Sequence, residues 1–204
     1  MFVMNKFKLL SISMFWGLMM PTVFSCGNSN MPDNTADSTK IDTLLAYFQK
    51  IDSMQNGGIL FHLDVYDIGY MDGITIEVQN LRCEDEQLQY VNFRKLYGSS
   101  YYSEYVNSRM LPGEIKYLIN AIDSISKEYN RKVNHDERYI YITKDNIRLF
   151  AANYNFSDNK WHSSFDVDYR KKDGSISLDS AKMQQLKKYM LESQAKIDSI
   201  RKAK

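Results

Sequence analysis

The sequence predicts an α+β domain in which antiparallel sheet packs against helices on one face. Helical periodicity and period-two alternation occupy separate stretches of the chain. The loops between the alternating stretches are too short for the crossovers that parallel strands need, so these strands are expected to form antiparallel hairpins. Of the 204 residues, 44% are hydrophobic, which is enough for a substantial core. The predicted order of elements is helix, strands, helix, strands and helix.

The first helix and its following strands fill the first half of the domain. Thr39-x-x-Asp42 resembles a capping box, and Asn56-Gly57-Gly58 is typical of a helix end. A polar loop is expected over 83–87, between two strands. Strands are predicted at residues 59–66, 74–79, 90–96 and, as a fourth candidate, 101–106.

The second half of the domain repeats this pattern weakly. Pro112 opens a second helix at a position where its missing N–H does no harm. A last helix is predicted from about Asp179 to the C-terminus. Further strands are predicted at residues 139–143, 147–154 and 161–169 and around Ile176. The spacing suggests a duplicated strand-strand-strand-helix unit, with halves at 39–130 and 131–204 of a single domain that spans 39–204.

The first 25 residues have the features of a secretory signal peptide. Lys6 and Lys8 precede an uncharged apolar run from Leu9 to Met20, and Pro21 follows it. A membrane-spanning helix needs about 20 apolar residues, so this run is short for one. We therefore interpret residues 1–25 as a cleaved leader.

The end of this leader resembles the lipoprotein box of bacterial lipoproteins. Val23, Phe24 and Ser25 fill its aliphatic, variable and small positions, and Cys26 fills its cysteine position. The resemblance implies that Cys26 becomes the acylated N-terminus and attaches the protein to the lipid bilayer. Two or three acyl chains attach a protein to a membrane durably, whereas one chain attaches it only marginally. An ordinary signal peptide with a coincidental cysteine is the alternative.

The residues after Cys26 bear on the membrane that holds the protein. Gly27 replaces the aspartate that marks inner-membrane retention in similar lipoproteins, and no acidic cluster follows as in surface-exported ones. The resemblance therefore implies an outer membrane, with the protein facing the periplasm. Residues 26–38 include a polar stretch rich in Asn, Asp and Gly, which predicts a flexible tether.

One further resemblance concerns the middle of the domain. The strand and helix over 101–128 are similar to a pattern in uncharacterised bacterial secreted and lipid-anchored domains. That family has no assigned activity, so the resemblance implies no functional residue.

The motifs of several functional classes are missing from the sequence. The 26 Lys and Arg residues nearly balance the 25 Asp and Glu residues, which argues against nucleic-acid binding. There is no nucleophile elbow, phosphate loop or dinucleotide fingerprint, and no cofactor is expected. Cys83 lies beside three acids at 84–86, which disfavour its thiolate. The acids themselves are expected to form a solvated loop.

His62 and Asp64 are weak candidates for metal binding. Side chains two apart in a strand share a face, so the two can lie together. Zinc usually takes three or four protein ligands, and a solvated polar face is the competing interpretation. No metal is therefore expected.

A cluster of tyrosines near a basic pair is a candidate binding surface, because Tyr and Arg are enriched where proteins bind partners. Packing over a sheet edge is the alternative. The candidate residues are Arg94, Tyr97, Tyr101, Tyr102 and Tyr105. The C-terminal helix is a second candidate, since its apolar residues from Met183 to Ile200 follow heptad-like spacing. That helix packs either on its own sheet or on a protein partner.

These observations favour a membrane-tethered, non-enzymatic module for binding or scaffolding. A hydrolase that acts on envelope polymers is an alternative, because catalytic groups need to meet only in space. A pocket that gathers His62, Asp64 or the acids at 84–86 would favour it. A periplasmic enzyme inhibitor is the other alternative and requires a protruding loop, for which 98–107 is the candidate.

Overall fold

The computed structural model describes residues 38–58, 60–99, 102–154, 160–171 and 174–203. The predicted leader, Cys26 and Tyr101 lie outside these residues. Among the described residues, no helix is both long enough and apolar enough to cross a membrane.

The described residues form three helices and eight strands in an order that confirms the predicted α+β class. The helices are α1 (Ser38–Asn56), α2 (Pro112–Glu128) and α3 (Ser180–Lys202). The strands of the first half are β1 (His62–Met71), β2 (Ile74–Cys83), β3 (Glu86–Ser99) and β4 (Tyr102–Met110). Those of the second half are β5 (Glu137–Ile142), β6 (Arg148–Asn153), β7 (Trp161–Asp166) and β8 (Ser175–Leu178).

The strands form two antiparallel sheets of four, in the orders β1-β2-β3-β4 and β5-β6-β7-β8. Neighbours in sequence are neighbours in each sheet, as short hairpin connections require. Each sheet is followed by one helix, α2 after the first and α3 after the second. Each half therefore has four strands before its helix, where the predicted unit had three.

Tight turns close the first two hairpins of the first sheet, and the second of them is tighter than the sequence suggested. Asp72 and Gly73 turn between β1 and β2 with φ angles of 47° and 85°, the positive values that two-residue hairpin turns need. Glu84 turns at a φ of 51°, and Cys83 pairs with Glu86 across that turn. The polar loop expected over 83–87 is thus wrong in its extent, because most of its residues belong to strands.

One core joins both sheets with α2 and α3. In β2, Ile74, Ile76 and Val78 alternate toward this core and are fully buried. The rings of Phe93 in β3 and Phe165 in β7 lie 5.4 Å apart between centroids, so the two sheets touch directly. We call the side of the first sheet that faces this core its inner face.

Helix α1 packs on the opposite, outer face of the first sheet. Its Phe48, Ile51 and Met54 form a separate apolar cluster with side chains of β2 and β3. Leu81 and Tyr90 are in that cluster, and both alternate away from the inner face. The helix covers only one end of the outer face, and the part beside it is polar.

The apolar seam of α3 lies inside the molecule. Met183, Leu186, Met190 and Ile197 are fully buried in the shared core, and Ile200 packs partly against it. Tyr189 lies over Gly69 of β1, and its hydroxyl donates to the Tyr70 carbonyl at 3.2 Å. The spacing of the seam is therefore explained within the chain, while a protein partner for the rest of this helix stays a prediction.

Candidate binding groove

A polar groove of about 580 Å³ lies on the outer face of the first sheet, beside α1. Strand alternation builds most of its floor, because every second side chain of β3 and β4 points to this face. The strands contribute Gln79, Tyr90, Asn92, Arg94, Tyr105, Asn107 and Arg109. Helix α1 adds Asp52 and Gln55 along one wall, and Asp145 after β5 completes the rim.

Arg94 is held in place at one end of the groove. Its Nη2 donates to Glu77 Oε1 at 3.0 Å, and its guanidinium lies 5.3 Å from the centre of the Tyr105 ring. Glu77 is nearly buried and also accepts hydrogen bonds from Gln79 at 2.9 Å and Asn92 at 3.3 Å. The buried carboxylate therefore orients three groove side chains. Tyr105 remains half exposed beside them.

Arg109 ties together the wall, the floor and the rim. Its Nη1 donates to Asp52 Oδ1 at 2.6 Å, and its backbone N–H donates to Asp145 Oδ2 at 2.7 Å. Its guanidinium also lies 5.3 Å from the centre of the Phe48 ring of α1. Burial alone would lower the pKa of Arg109, but the two carboxylates outweigh it and raise that pKa. Arg109 therefore stays charged and fixed.

The other end of the groove is formed by α1 and Tyr90. Gln55 Nε2 donates to the Tyr90 hydroxyl at 3.0 Å. Burial raises the pKa of this phenol above its usual value of 10.0, so the group keeps its proton at neutral pH. Within the described part of the chain, that proton has no acceptor.

Several amide groups of the groove have open hydrogen-bonding capacity. The side-chain amides of Gln55, Gln79 and Asn92 each donate one hydrogen bond to a neighbour. Among the described residues, their carbonyl oxygens and the whole side chain of Asn107 have no partner. The charged groups are thus paired with one another, while neutral donors and acceptors remain for a ligand.

The predicted tyrosine surface is brought together only in part. Arg94 and Tyr105 meet on the outer face, as described above. Tyr97 lies on the inner face, where its hydroxyl donates to Glu104. Tyr101 lies outside the described residues, and of Tyr102 only the backbone is described, paired with Ser99. Residues three apart in a strand point to opposite faces, which separates Tyr97 from Arg94.

His62 and Asp64 do lie together, but away from the groove. His62 Nε2 and Asp64 Oδ1 are 2.8 Å apart, and Asp64 also accepts hydrogen bonds from Asn80 and Arg82. The hydrogen bond with His62 is the main cause that lowers the pKa of Asp64. No three metal-ligating side chains come together within the described part of the chain.

Sequence reasoning missed the groove residues that come from distant parts of the chain. Asp52 and Arg109 are 57 residues apart, and Arg109 and Asp145 are 36 apart. No local pattern marks such pairs. Strand alternation did offer one signal, since Arg94, Tyr105 and Arg109 fall on one face once β3 and β4 are paired.

Comparison of the chain with protein-family models, with curated proteins and with solved structures finds no match.

Proposed function

We propose that this protein is a membrane-tethered binding module that presents the outer-face groove to its surroundings. Acylated Cys26 would attach it to a bacterial membrane, the outer membrane in our proposal, with the domain in the periplasm. The twelve residues 27–38 would span at most about 40 Å, so the groove works close to the bilayer.

The main support for the binding role is that the charged side chains of the groove are preorganised. Arg94 and Arg109 are held by Glu77, Asp52 and Asp145 before any ligand arrives. Side chains that are already ordered lose little conformational freedom on binding. The groove is concave and gathers convergent polar groups, which fix the orientation of a ligand in known sites.

The alternatives find less support in this groove. None of His62, Asp64 and the acids at 84–86 lines it, although a pocket that gathered them would have favoured a hydrolase. The segment considered for an inhibitor loop belongs, in its described part, to the paired strands β3 and β4. A binding module is therefore the function we propose.

The binding role is tested by capture from an envelope fraction. The groove variant Tyr105→Ala/Asn107→Ala removes two exposed side chains of the groove and leaves the Arg94–Glu77 ion pair in place. A matched control, Tyr117→Ala/Asn120→Ala, removes the same residue types from the exposed side of α2. We expect wild type and control to retain the same envelope component and the groove variant to lose it. Equal capture by all three proteins would contradict the proposal.

The anchor is tested by metabolic labelling with a clickable palmitate analogue. We expect Cys26→Ala to abolish labelling. Cys83→Ala is the matched control and should be labelled like wild type, because the Cys83 side chain is buried. Labelling of the Cys26 variant would contradict the lipid attachment.

A further inference from the structure

We propose that the groove binds a neutral carbohydrate chain. This inference rests on the proposed binding function and names its ligand class. It follows from four features of the groove: its charge, its open hydrogen-bonding groups, the exposed ring of Tyr105 and its place on a sheet face.

The charged groups of the groove leave no excess positive charge for an anion. Arg94 is neutralised by Glu77, and Arg109 lies between Asp52 and Asp145. Two guanidinium groups thus face three carboxylates. A phosphate, a sulfate or an acidic sugar would meet a site whose cations are already paired and whose net charge is negative. A neutral ligand avoids this repulsion.

The open groups of the groove match hydroxyl groups. A hydroxyl both donates and accepts hydrogen bonds, and an amide side chain offers one carbonyl oxygen and two N–H groups. The groove presents such amides on Gln55, Gln79, Asn92 and Asn107. The Tyr90 hydroxyl adds a donor between them. A polyhydroxylated ring can satisfy several of these groups at once.

Tyr105 supplies an apolar surface next to these polar groups. Its side chain is 52% exposed, although Arg94 lies over its ring. The C–H face of a sugar ring can cover the exposed part, while the sugar hydroxyls reach Asn107 and Asn92. Aromatic rings bury much apolar area, so this contact adds affinity without charge.

The position of the groove disfavours an extended peptide. A peptide that adds to a sheet binds through the free backbone groups of an edge strand. The floor of this groove is the face of β2, β3 and β4. Strands β2 and β3 are paired on both sides, and at the edge strand β4 the Arg109 backbone N–H already donates to Asp145 Oδ2. A ligand on that floor meets side chains and not the backbone. Hydroxyl recognition by side chains therefore fits better.

The test is calorimetric titration of the full-length protein in a detergent without a sugar head group. The neutral probes are hexasaccharides of glucose, mannose, galactose, xylose and N-acetylglucosamine in their common linkages. The comparison probes are hexagalacturonic acid and an uncharged Gly/Ser hexapeptide. We expect at least one neutral probe to bind and both comparison probes to bind at least about tenfold more weakly, which corresponds to one lost hydrogen bond or one repelled charge.

The groove variants locate the binding. Tyr105→Ala/Asn107→Ala should weaken the neutral probe about tenfold or more, and Tyr117→Ala/Asn120→Ala should leave it within about twofold. The affinity should also change little between 50 and 500 mM salt, roughly, since screening acts on charge pairs. Far-ultraviolet circular dichroism checks that every variant is folded.

Several results would overturn the inference. The first is that none of the neutral probes binds. The second is that the acidic sugar or the peptide binds more tightly than every neutral probe. The third is that the groove variant binds the neutral probe as tightly as wild type. The envelope capture described above separates this failure from failure of the binding role. If the component captured through the groove is sensitive to protease, the carbohydrate ligand is refuted but the binding role stands. If wild type and the groove variant capture the same amount, both the ligand and the binding role are refuted.

Discussion

Arg109 illustrates how one side chain can position a whole site. It joins β4 to α1 through Asp52 and to the segment after β5 through Asp145. Its side chain is 20% exposed, so water weakens these ion pairs less than at a free surface. The same contacts that shape the groove should therefore contribute to stability.

Arg109→Met tests this contribution. The variant keeps the aliphatic stem but leaves Asp52 and the partly buried Asp145 without their cation, so we expect a loss of about 1–3 kcal/mol in the free energy of unfolding. Urea denaturation followed by circular dichroism measures it. Arg82→Met is the control, because the exposed Arg82 pairs, within the described residues, with Asp64 alone, and its loss should cost about 0.5 kcal/mol or less. Equal losses of unfolding free energy in both variants would show that the ion pairs of Arg109 do not stabilise the fold.

Asp168 gives a prediction about pH. Burial would raise the pKa of this nearly buried carboxyl, but hydrogen bonds from Arg170 outweigh burial and hold that pKa below its usual value of 3.8. A depressed folded-state pKa stabilises the protein above pH 3.8, and this contribution disappears as the pH falls through the folded-state value. Asp168→Asn should therefore cost about 1–2 kcal/mol at pH 7.

The pH profile distinguishes this cause from simple loss of packing. The difference in unfolding free energy between wild type and Asp168→Asn should shrink as the pH falls from about 4 to about 2. Arg170→Met should show the same pH dependence, because Arg170 is the partner that lowers the pKa. A difference that stays constant from neutral to acid pH would contradict the assignment.

Single residues also show what sequence reasoning can reach. Arg94 and Tyr105 were predicted as part of one surface and do meet on it. Tyr97 was assigned to the same surface and lies on the other face. Alternation along β3 separates Tyr97 from Arg94, whereas the clustering of Tyr and Arg in the sequence does not. Asp52 and Asp145 were out of reach, because their distance from Arg109 in space depends on the packing of three elements.

At the scale of elements, β1 and α3 meet through a close contact at Gly69. A Cβ atom added there would fall inside van der Waals distance of the Tyr189 ring. Tyr189 is itself held by Gln185, whose Nε2 lies 2.7 Å from the hydroxyl. The close packing of the Tyr189 ring on β1 therefore requires a glycine at position 69.

Gly69→Ala tests the contact between β1 and α3. We expect it to destabilise the protein by about 1–3 kcal/mol, the usual cost of overpacking. In the Tyr189→Ala background the same change should cost less, because the ring is gone. Gly113→Ala in α2 is the control, since open space surrounds that position and the change should be neutral or stabilising by up to about 1 kcal/mol. An equal cost of Gly69→Ala with and without the Tyr189 ring would contradict the contact.

The helices were predicted more completely than the strands. Pro112 does begin α2, and the apolar seam of α3 is buried as its spacing indicated. The strands of the first sheet run further than predicted, with β3 reaching from Glu86 to Ser99, whereas β6 and β7 are shorter than predicted. Apolar alternation marks only the part of a strand that faces the core. The polar ends of β2 and β3 pair through backbone hydrogen bonds, which leave no trace in side-chain type.

At the scale of the whole molecule, the shared core should make the two halves unfold together. Ile76 of the first sheet and Trp161 of the second belong to one buried cluster. Ile76→Ala should therefore destabilise both halves, by about 2–5 kcal/mol. Trp16 lies in the proposed cleaved leader, so in the mature chain Trp161 fluorescence reports on the second sheet alone. Its urea midpoint should fall together with the midpoint from circular dichroism, whereas an unchanged Trp161 midpoint would mean that the halves unfold independently.

The two faces of the first sheet have separate roles. The inner face and both later helices build the core, and the outer face is shared between α1 and the groove. Sequence pattern predicted the class and most elements, because core-facing periodicity is local. It did not predict the groove, since a groove depends on which surfaces the elements leave uncovered.

The most direct test of the binding site is nuclear magnetic resonance of the side-chain amide groups. Full-length labelled protein is titrated with a solubilised envelope fraction from the same cells. We expect the NH₂ signals of Gln55, Gln79, Asn92 and Asn107 to shift while the exposed Asn120 and Asn134 stay in place. Shifts confined to amides elsewhere, with the groove signals unmoved at saturation, would contradict the assignment of this groove as the binding surface.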